Sequence, residues 1–153
     1  ADQAAEIAAC GIAVTPTLRQ VELFQDFAAQ AGQKYPVYAA TMRGMYETRR
    51  EHFEMLVDAG VLLLMGTDSG GYQDHGTIAG ELALWLQWGA PAQFTIDAAT
   101  WVSQRYLGYP GLVEGGPADF LLLNEDPRID PLALSRPSRV TLGGSTVWER
   151  TSA

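Results

Sequence analysis

The chain has 153 residues, 47% of them hydrophobic and 18% charged, a composition that builds a folded core and excludes a disordered chain. A formal net charge of −8, with no basic cluster beyond Arg49 and Arg50, argues against nucleic acid or an anionic membrane surface as partner. A single cysteine, Cys10, excludes an internal disulfide and a thiolate zinc cluster, and it is expected to serve as a small core residue.

The sequence opens without a Met, directly in a helical pattern, and reads as a polypeptide entered part-way through. Its start carries no signal-peptide pattern and no apolar run is long enough to span a membrane, so the cytoplasm is the expected compartment. The first helix is predicted to end at Gly11, with Asp2 as its N-cap. Residues 12–18 read as a strand that Pro16, unable to donate to a ladder, brings to its end. Val21, Phe24, Phe27, Ala28 and Ala31 recur at helical spacing and predict a helix over 19–31. Residues 38–59 form the longest periodic segment, with Met42, Met45, Tyr46, Phe53, Leu56 and Val57 on one side and Gly60 as its stop.

Five apolar residues, 61–65, then run without interruption into Gly66-Thr67-Asp68-Ser69-Gly70-Gly71. A short apolar run bounded by turn residues predicts a strand buried on both faces, as in a parallel sheet. Asp68 then stands at the strand's C-terminal end, the edge where parallel α/β folds gather their chemistry. An Asp in this setting also turns chains and caps helices, and the residue alone leaves both roles open. Helices are predicted over 76–88 and 94–107, with Trp85, Trp88 and Trp101 as core residues. Sequence character changes near residue 108. The organisation expected is therefore an α/β part over 1–108 and a β-rich part over 109–153, with strands at 112–113, 119–123, 139–142 and 145–148 and a Gly143-Gly144 hairpin turn.

The chain has only two histidines. His52 stands among charged neighbours and is expected at the surface. His75 follows Asp68 by seven positions, and the glycine-rich loop between them can fold it back; it is a candidate substrate contact, with loop or capping roles equally open. One Asp and one His do not close a metal site of three or four ligands. Glu81, with apolar neighbours on both sides, reads either as a structural hydrogen-bonder or, the favoured expectation, as one edge of its helix's exposed face. Ser69 lacks the Gly-x-Ser-x-Gly elbow and a His base, and glycines 66, 70 and 71 match neither a dinucleotide nor a phosphate loop.

The ordered series Gly11-Ile12-Ala13-Val14-Thr15-Pro16-Thr17-Leu18, Asp58-Ala59-Gly60-Val61, Gly66-Thr67-Asp68-Ser69-Gly70, His75-Gly76, Glu81-Leu82 and Gly89-Ala90-Pro91 continues through Ala98-Ala99-Thr100. It then runs through residues 111–120, Asn124-Glu125-Asp126-Pro127 and Val140-Thr141-Leu142-Gly143-Gly144. This pattern resembles the C-terminal portion of the amidohydrolase superfamily, in its imidazolonepropionase- and prolidase-like branch. The resemblance implies an α/β fold: the last part of a (β/α)8 TIM-like barrel, with residues 12–18 and 61–66 as its seventh and eighth strands, plus 112–147 as strands of a small β-sandwich. It implies one or two divalent metals, zinc foremost, that activate water to hydrolyse an amide-type bond of a small-molecule substrate. Asp68 matches the family's eighth-strand Asp, which touches the metal and moves the water's proton, and His75 matches a loop histidine at the barrel mouth. The metal-binding residues of the first six strands have no counterpart here. The chain alone is therefore expected to be inactive and to need the missing N-terminal barrel segment as its partner, with homo-oligomerisation open. The other readings are a non-catalytic remnant of the same fold, a hydrolase of phosphoester or lactone bonds, and an unrelated doubly wound binding module.

Overall fold

The structure, a computed structural model, describes residues 2–151. By its internal contacts the chain divides into two compact units, one ending at Ala90 and one beginning at Pro91. The compositional break near residue 108 falls inside the second unit, whose helices belong with the β-rich segment.

The first unit begins with helix α1 (Asp2–Ala9), which ends in a turn at Gly11, φ +63°. The side chain of Asp2, the expected N-cap, lies outside the described residues. Strand β1 (Ala13–Val14) follows, then helices α2 (Leu18–Glu22), α3 (Phe24–Ala31), α4 (Pro36–Glu47) and α5 (Arg49–Asp58). Strand β2 (Leu62–Leu63) and helix α6 (Ile78–Gln87) complete the unit. The two strands pair in parallel, Ala13 with Leu62 and Val14 with Leu63. They are shorter than the sequence pattern predicts, but they lie side by side in the expected direction.

Two predicted helices are each a pair in the structure. The segment 19–31 breaks at Leu23, whose N–H turns back to the Gln20 carbonyl. The segment 38–59 breaks at Thr48, where the Thr48 hydroxyl donates to the Gly44 carbonyl four residues back. Such back-bonding competes with the helical ladder and bends it.

The core forms around Phe53, Leu82, Trp85 and Trp88, with the Phe53 ring 5.2 Å from Trp85 and 6.1 Å from Trp88. Val61 and Leu63 are buried against it, whereas Leu62 is 38% exposed, so β2 is covered on one face and open on the other. This corrects the expectation of a strand buried on both faces. Cys10 is exposed at the end of α1, where its N–H still bonds the Glu6 carbonyl, instead of serving the core: the last helical turn carries it on the open side. His52 is at the surface as expected, near the Thr48 hydroxyl.

In the second unit, α7 (Ala92–Ala99) and α8 (Trp101–Tyr106) replace the single predicted helix. The break again falls on a threonine: the Thr100 hydroxyl donates to the Ile96 carbonyl. Trp101 starts α8 51% exposed, so of the three helical tryptophans only Trp85 and Trp88 are core residues. Strands β3 (Phe120–Leu122), β4 (Arg139–Leu142) and β5 (Ser145–Glu149) form an antiparallel sheet in the order β3-β4-β5, with a 3-10 turn over Pro131–Ser135 before β4. Gly143 and Gly144 both have positive φ, +55° and +77°, as the tight β4–β5 hairpin requires. The predicted strand at 112–113 is irregular backbone. No helix among the described residues is long and apolar enough to cross a membrane.

Candidate active-site edge

Because β1 and β2 run parallel, their C-terminal ends emerge on the same edge. Each is followed by a non-glycine residue in the left-handed region, Thr17 at φ +46° and Asp68 at φ +55°. Left-handed backbone is tolerated by Asp and strained for a β-branched Thr, and such strain gathers at functional sites. Asp68 is exposed, and its carboxylate makes no hydrogen bond or ion pair with another described residue.

The backbone beneath that free carboxylate is held from both sides. The Leu64 N–H donates to the Val14 carbonyl at 2.9 Å, extending the strand pair toward the loop. The Thr67 and Ser69 hydroxyls lie 2.6 Å apart, and Ser69 reaches the Thr77 hydroxyl at 3.1 Å. Gln73 Nε2 donates to the Thr67 carbonyl at 2.7 Å and to Gln20 Oε1 at 2.9 Å. The Gly70 N–H donates to the Gln73 carbonyl, closing the turn. Gly66 is required by close approach: a Cβ there would lie 2.7 Å from Thr15 Cγ2. Gly66→Ala is expected to cost about 1 kcal/mol in urea unfolding, with much of the loss recovered in the Gly66→Ala, Thr15→Ala double variant.

His75 is exposed and folds back on the loop. A Cβ on Gly70 would lie 3.3 Å from His75 Cε1, so the ring packs against a residue two positions beyond Asp68. Ser69 takes part in the hydroxyl chain and has no imidazole partner.

Glu81 corrects the favoured expectation of an exposed position and takes the structural hydrogen-bonding role. It is 0% exposed, and its carboxylate accepts from the Leu18 N–H at 2.9 Å, the Arg19 N–H at 2.7 Å and Trp85 Nε1 at 2.8 Å. The first two are opening N–H groups of α2, which lack partners within their helix. Thr17, in the cap position, makes no side-chain bond to them. Glu81 caps α2 from a distance and so fixes the segment that leaves β1. Burial holds the carboxyl above its ordinary range, outweighing the hydrogen bonds from Arg19, Trp85 and Leu18 and the Arg19 charge, all of which pull it down. The only hint in the sequence was an acidic residue flanked by apolar ones; the two backbone partners lie more than sixty positions away.

A divalent metal, which the resemblance implies, would find in this chain a free carboxylate of the right chemistry at the strand edge. Among the described residues no group of three His, Cys, Asp or Glu side chains converges. Asp68 would fit as one ligand, and further ligands would have to come from outside the described residues. The second unit holds a cavity of about 650 Å³ lined mainly by apolar residues that include Ile96, Leu107, Phe120 and Val140; the one carboxylate in its lining, Asp119, is engaged by the Gly143 N–H.

No family model matches the chain. Uncharacterized proteins of Mycobacterium tuberculosis and Mycobacterium bovis are 40% identical to it over 136 residues, covering 89% of this chain and 36% of theirs. The chain thus spans about a third of the length of the curated relatives it matches. A solved Xaa-Pro dipeptidase with bound methionine in its active site shares the fold with a TM-score of 0.74 at 23% identity, over 92% of this chain and 35% of that one. An amidohydrolase structure gives 0.73 at 24%, over 99% and 38%. Ochratoxinase from A. niger gives 0.65 at 25%, over 89% and 32%. The α/β fold is therefore one found in amidohydrolase-type hydrolases, the group whose motif order the sequence resembles.

Proposed function

We propose, from a fold shared with prolidase, amidohydrolase and ochratoxinase structures, that this chain is the C-terminal portion of a metal-dependent amidohydrolase that cleaves an amide-type C–N bond. In this reading β1 and β2 are the last two strands of a (β/α)8 barrel, and the β3-β4-β5 sheet is the C-terminal share of a small β-sandwich. The observation that carries it is Asp68: a free, exposed carboxylate on a constrained left-handed backbone, at the C-terminal edge of a parallel strand pair.

A bound divalent ion, zinc foremost, supplies Lewis acidity that lowers the pKa of water and polarises the scissile carbonyl. Asp68 would hold it as one of its ligands. The same carboxylate accepts the proton of the attacking water and returns it to the leaving nitrogen, so that a neutral amine departs. His75, on the loop beside Gly70, contacts the substrate. The other ligands and most of the pocket belong to the remainder of the protein, and this chain by itself does not hydrolyse substrate.

The full-length protein is expected to copurify with at least one zinc per chain and to hydrolyse N-acyl amino acids or dipeptides. A chelator should abolish the activity and added zinc restore it. Turnover confined to phosphoesters or lactones would move the reading to that bond class. A protein that neither binds zinc nor hydrolyses any of the three would be a remnant of the fold.

A further inference from the structure

The loop that carries Asp68 is braced by one side chain for which the reaction just described has no use. We propose that Gln73 is a positioning residue, whose buried amide fixes the Thr67 carbonyl and thereby the left-handed backbone that presents the Asp68 carboxylate. The catalytic consequence rests on the amidohydrolase reading; the bracing itself rests on geometry alone.

Among the described residues, the hydroxyls of Thr67, Ser69 and Thr77 bond only to one another, so they stiffen the loop and tie it to the start of α6 without anchoring it to the helices that follow β1. Gln73 does both. Its side chain is 8% exposed, and Nε2 joins the carbonyl immediately before Asp68 to Gln20 on α2, 53 positions away in sequence. The orientation of this amide is fixed by chemistry. A backbone carbonyl only accepts, so the NH2 end must face Thr67, and a reversed amide would set oxygen against oxygen. Gln73 Oε1 is buried and has no partner among the described residues, which leaves the two donated bonds as the polar contacts holding the group. Beside it the Tyr72 ring packs at a tilt of 57° against Phe27 of α3, centroids 4.6 Å apart, and ties down the same stretch of loop. The peptide entering Asp68 is thus fastened to the helices that follow β1, while the Asp68 carboxylate stays unbonded. Polar groups behind a metal-binding or catalytic residue typically change metal affinity or activity by about 10-fold to 100-fold when removed.

The test uses two variants in the full-length protein. Gln73→Leu keeps the bulk and removes the donor. Gln73→Glu keeps the shape and places a carboxylate oxygen against the Thr67 carbonyl. Both are expected to raise amide hydrogen exchange over residues 67–70 by at least tenfold, with exchange in α4 unchanged. Both should lower kcat by about tenfold or more with KM within twofold, and weaken zinc affinity, measured by competition with a chelator, by a similar factor. A lower melting temperature with exchange over 67–70, kcat and zinc affinity all at wild-type values would make Gln73 merely structural and overturn the proposal. Unchanged exchange over 67–70 overturns it whatever the activity. Asp68→Asn separates the two claims. If that variant loses activity while both Gln73 variants behave as wild type, the positioning role fails alone. If Asp68→Asn has no effect, the functional reading fails, and exchange still decides whether Gln73 braces the loop.

Discussion

Asp68→Asn in the full-length protein is expected to lower kcat by roughly 100-fold to 10,000-fold, the range for removing a group that transfers a proton in the transition state. The substitution is informative because it changes so little else. Asn tolerates left-handed backbone as Asp does, so a φ of +55° costs it no more. The native carboxylate has no partner among the described residues, so no hydrogen bond or ion pair of the fold is broken. The melting temperature should accordingly stay within a degree or two, while steady-state kinetics on an amide substrate register the loss. Asp68→Ala should be equally inactive but also less stable, since Ala at positive φ costs roughly 1–2 kcal/mol. A full rate from Asp68→Asn would place the catalytic carboxylate elsewhere.

The largest stability effect is expected at Glu81. Glu81→Leu leaves the Leu18 and Arg19 N–H groups without their acceptor, and at about 1–3 kcal/mol for each buried donor the loss should reach roughly 3 kcal/mol in urea unfolding. Glu81→Gln should cost less, about 1–2 kcal/mol, because Oε1 still accepts from Leu18 and Trp85 and only the Arg19 N–H meets an NH2 group. The pH dependence distinguishes this acid from an ordinary surface glutamate. Its folded-state pKa is raised above the unfolded value, so between the two the folded chain keeps a proton that the unfolded chain has released. Stability from this group is therefore fully present below the unfolded value, near pH 4.5, and declines as pH rises through the raised folded value. Measured from pH 4 to 7, the wild-type unfolding free energy should carry this downward component and Glu81→Gln should lack it.

Glu81 and Asp68 mark how far the sequence can be read. Asp68 was legible because its setting is local: an apolar run, then glycines, places a carboxylate at a strand's end whatever the remainder of the chain does. His75 was legible for the same reason, since a glycine-rich loop of seven positions can return a ring to its start, and the structure packs that ring on Gly70. For Glu81 the surface was favoured over a structural hydrogen-bonding role because helical periodicity puts an acid between apolar neighbours on an edge, and periodicity does not register unpaired N–H groups elsewhere. Gln73 was passed over altogether. A glutamine in a polar loop looks like solvent-facing sequence until Gln20 and the Thr67 carbonyl arrive on either side of it.

By itself the sequence determined the kind and order of most elements, the Gly143-Gly144 hairpin and the carboxylate at the strand edge. Each follows from spacing along a few consecutive residues, where backbone geometry sets which side chains share a face. Tertiary structure alone decided that α2 is capped by an acid 62 and 63 positions away, and that the Asp68 loop is fastened through Gln73. It also decided that helices break at Thr48 and Thr100, where apolar spacing would continue them. The physical reason is common to the first two. A buried donor or acceptor must be satisfied, and which group satisfies it depends on what folding brings within about 3 Å, a distance that has no counterpart in sequence separation.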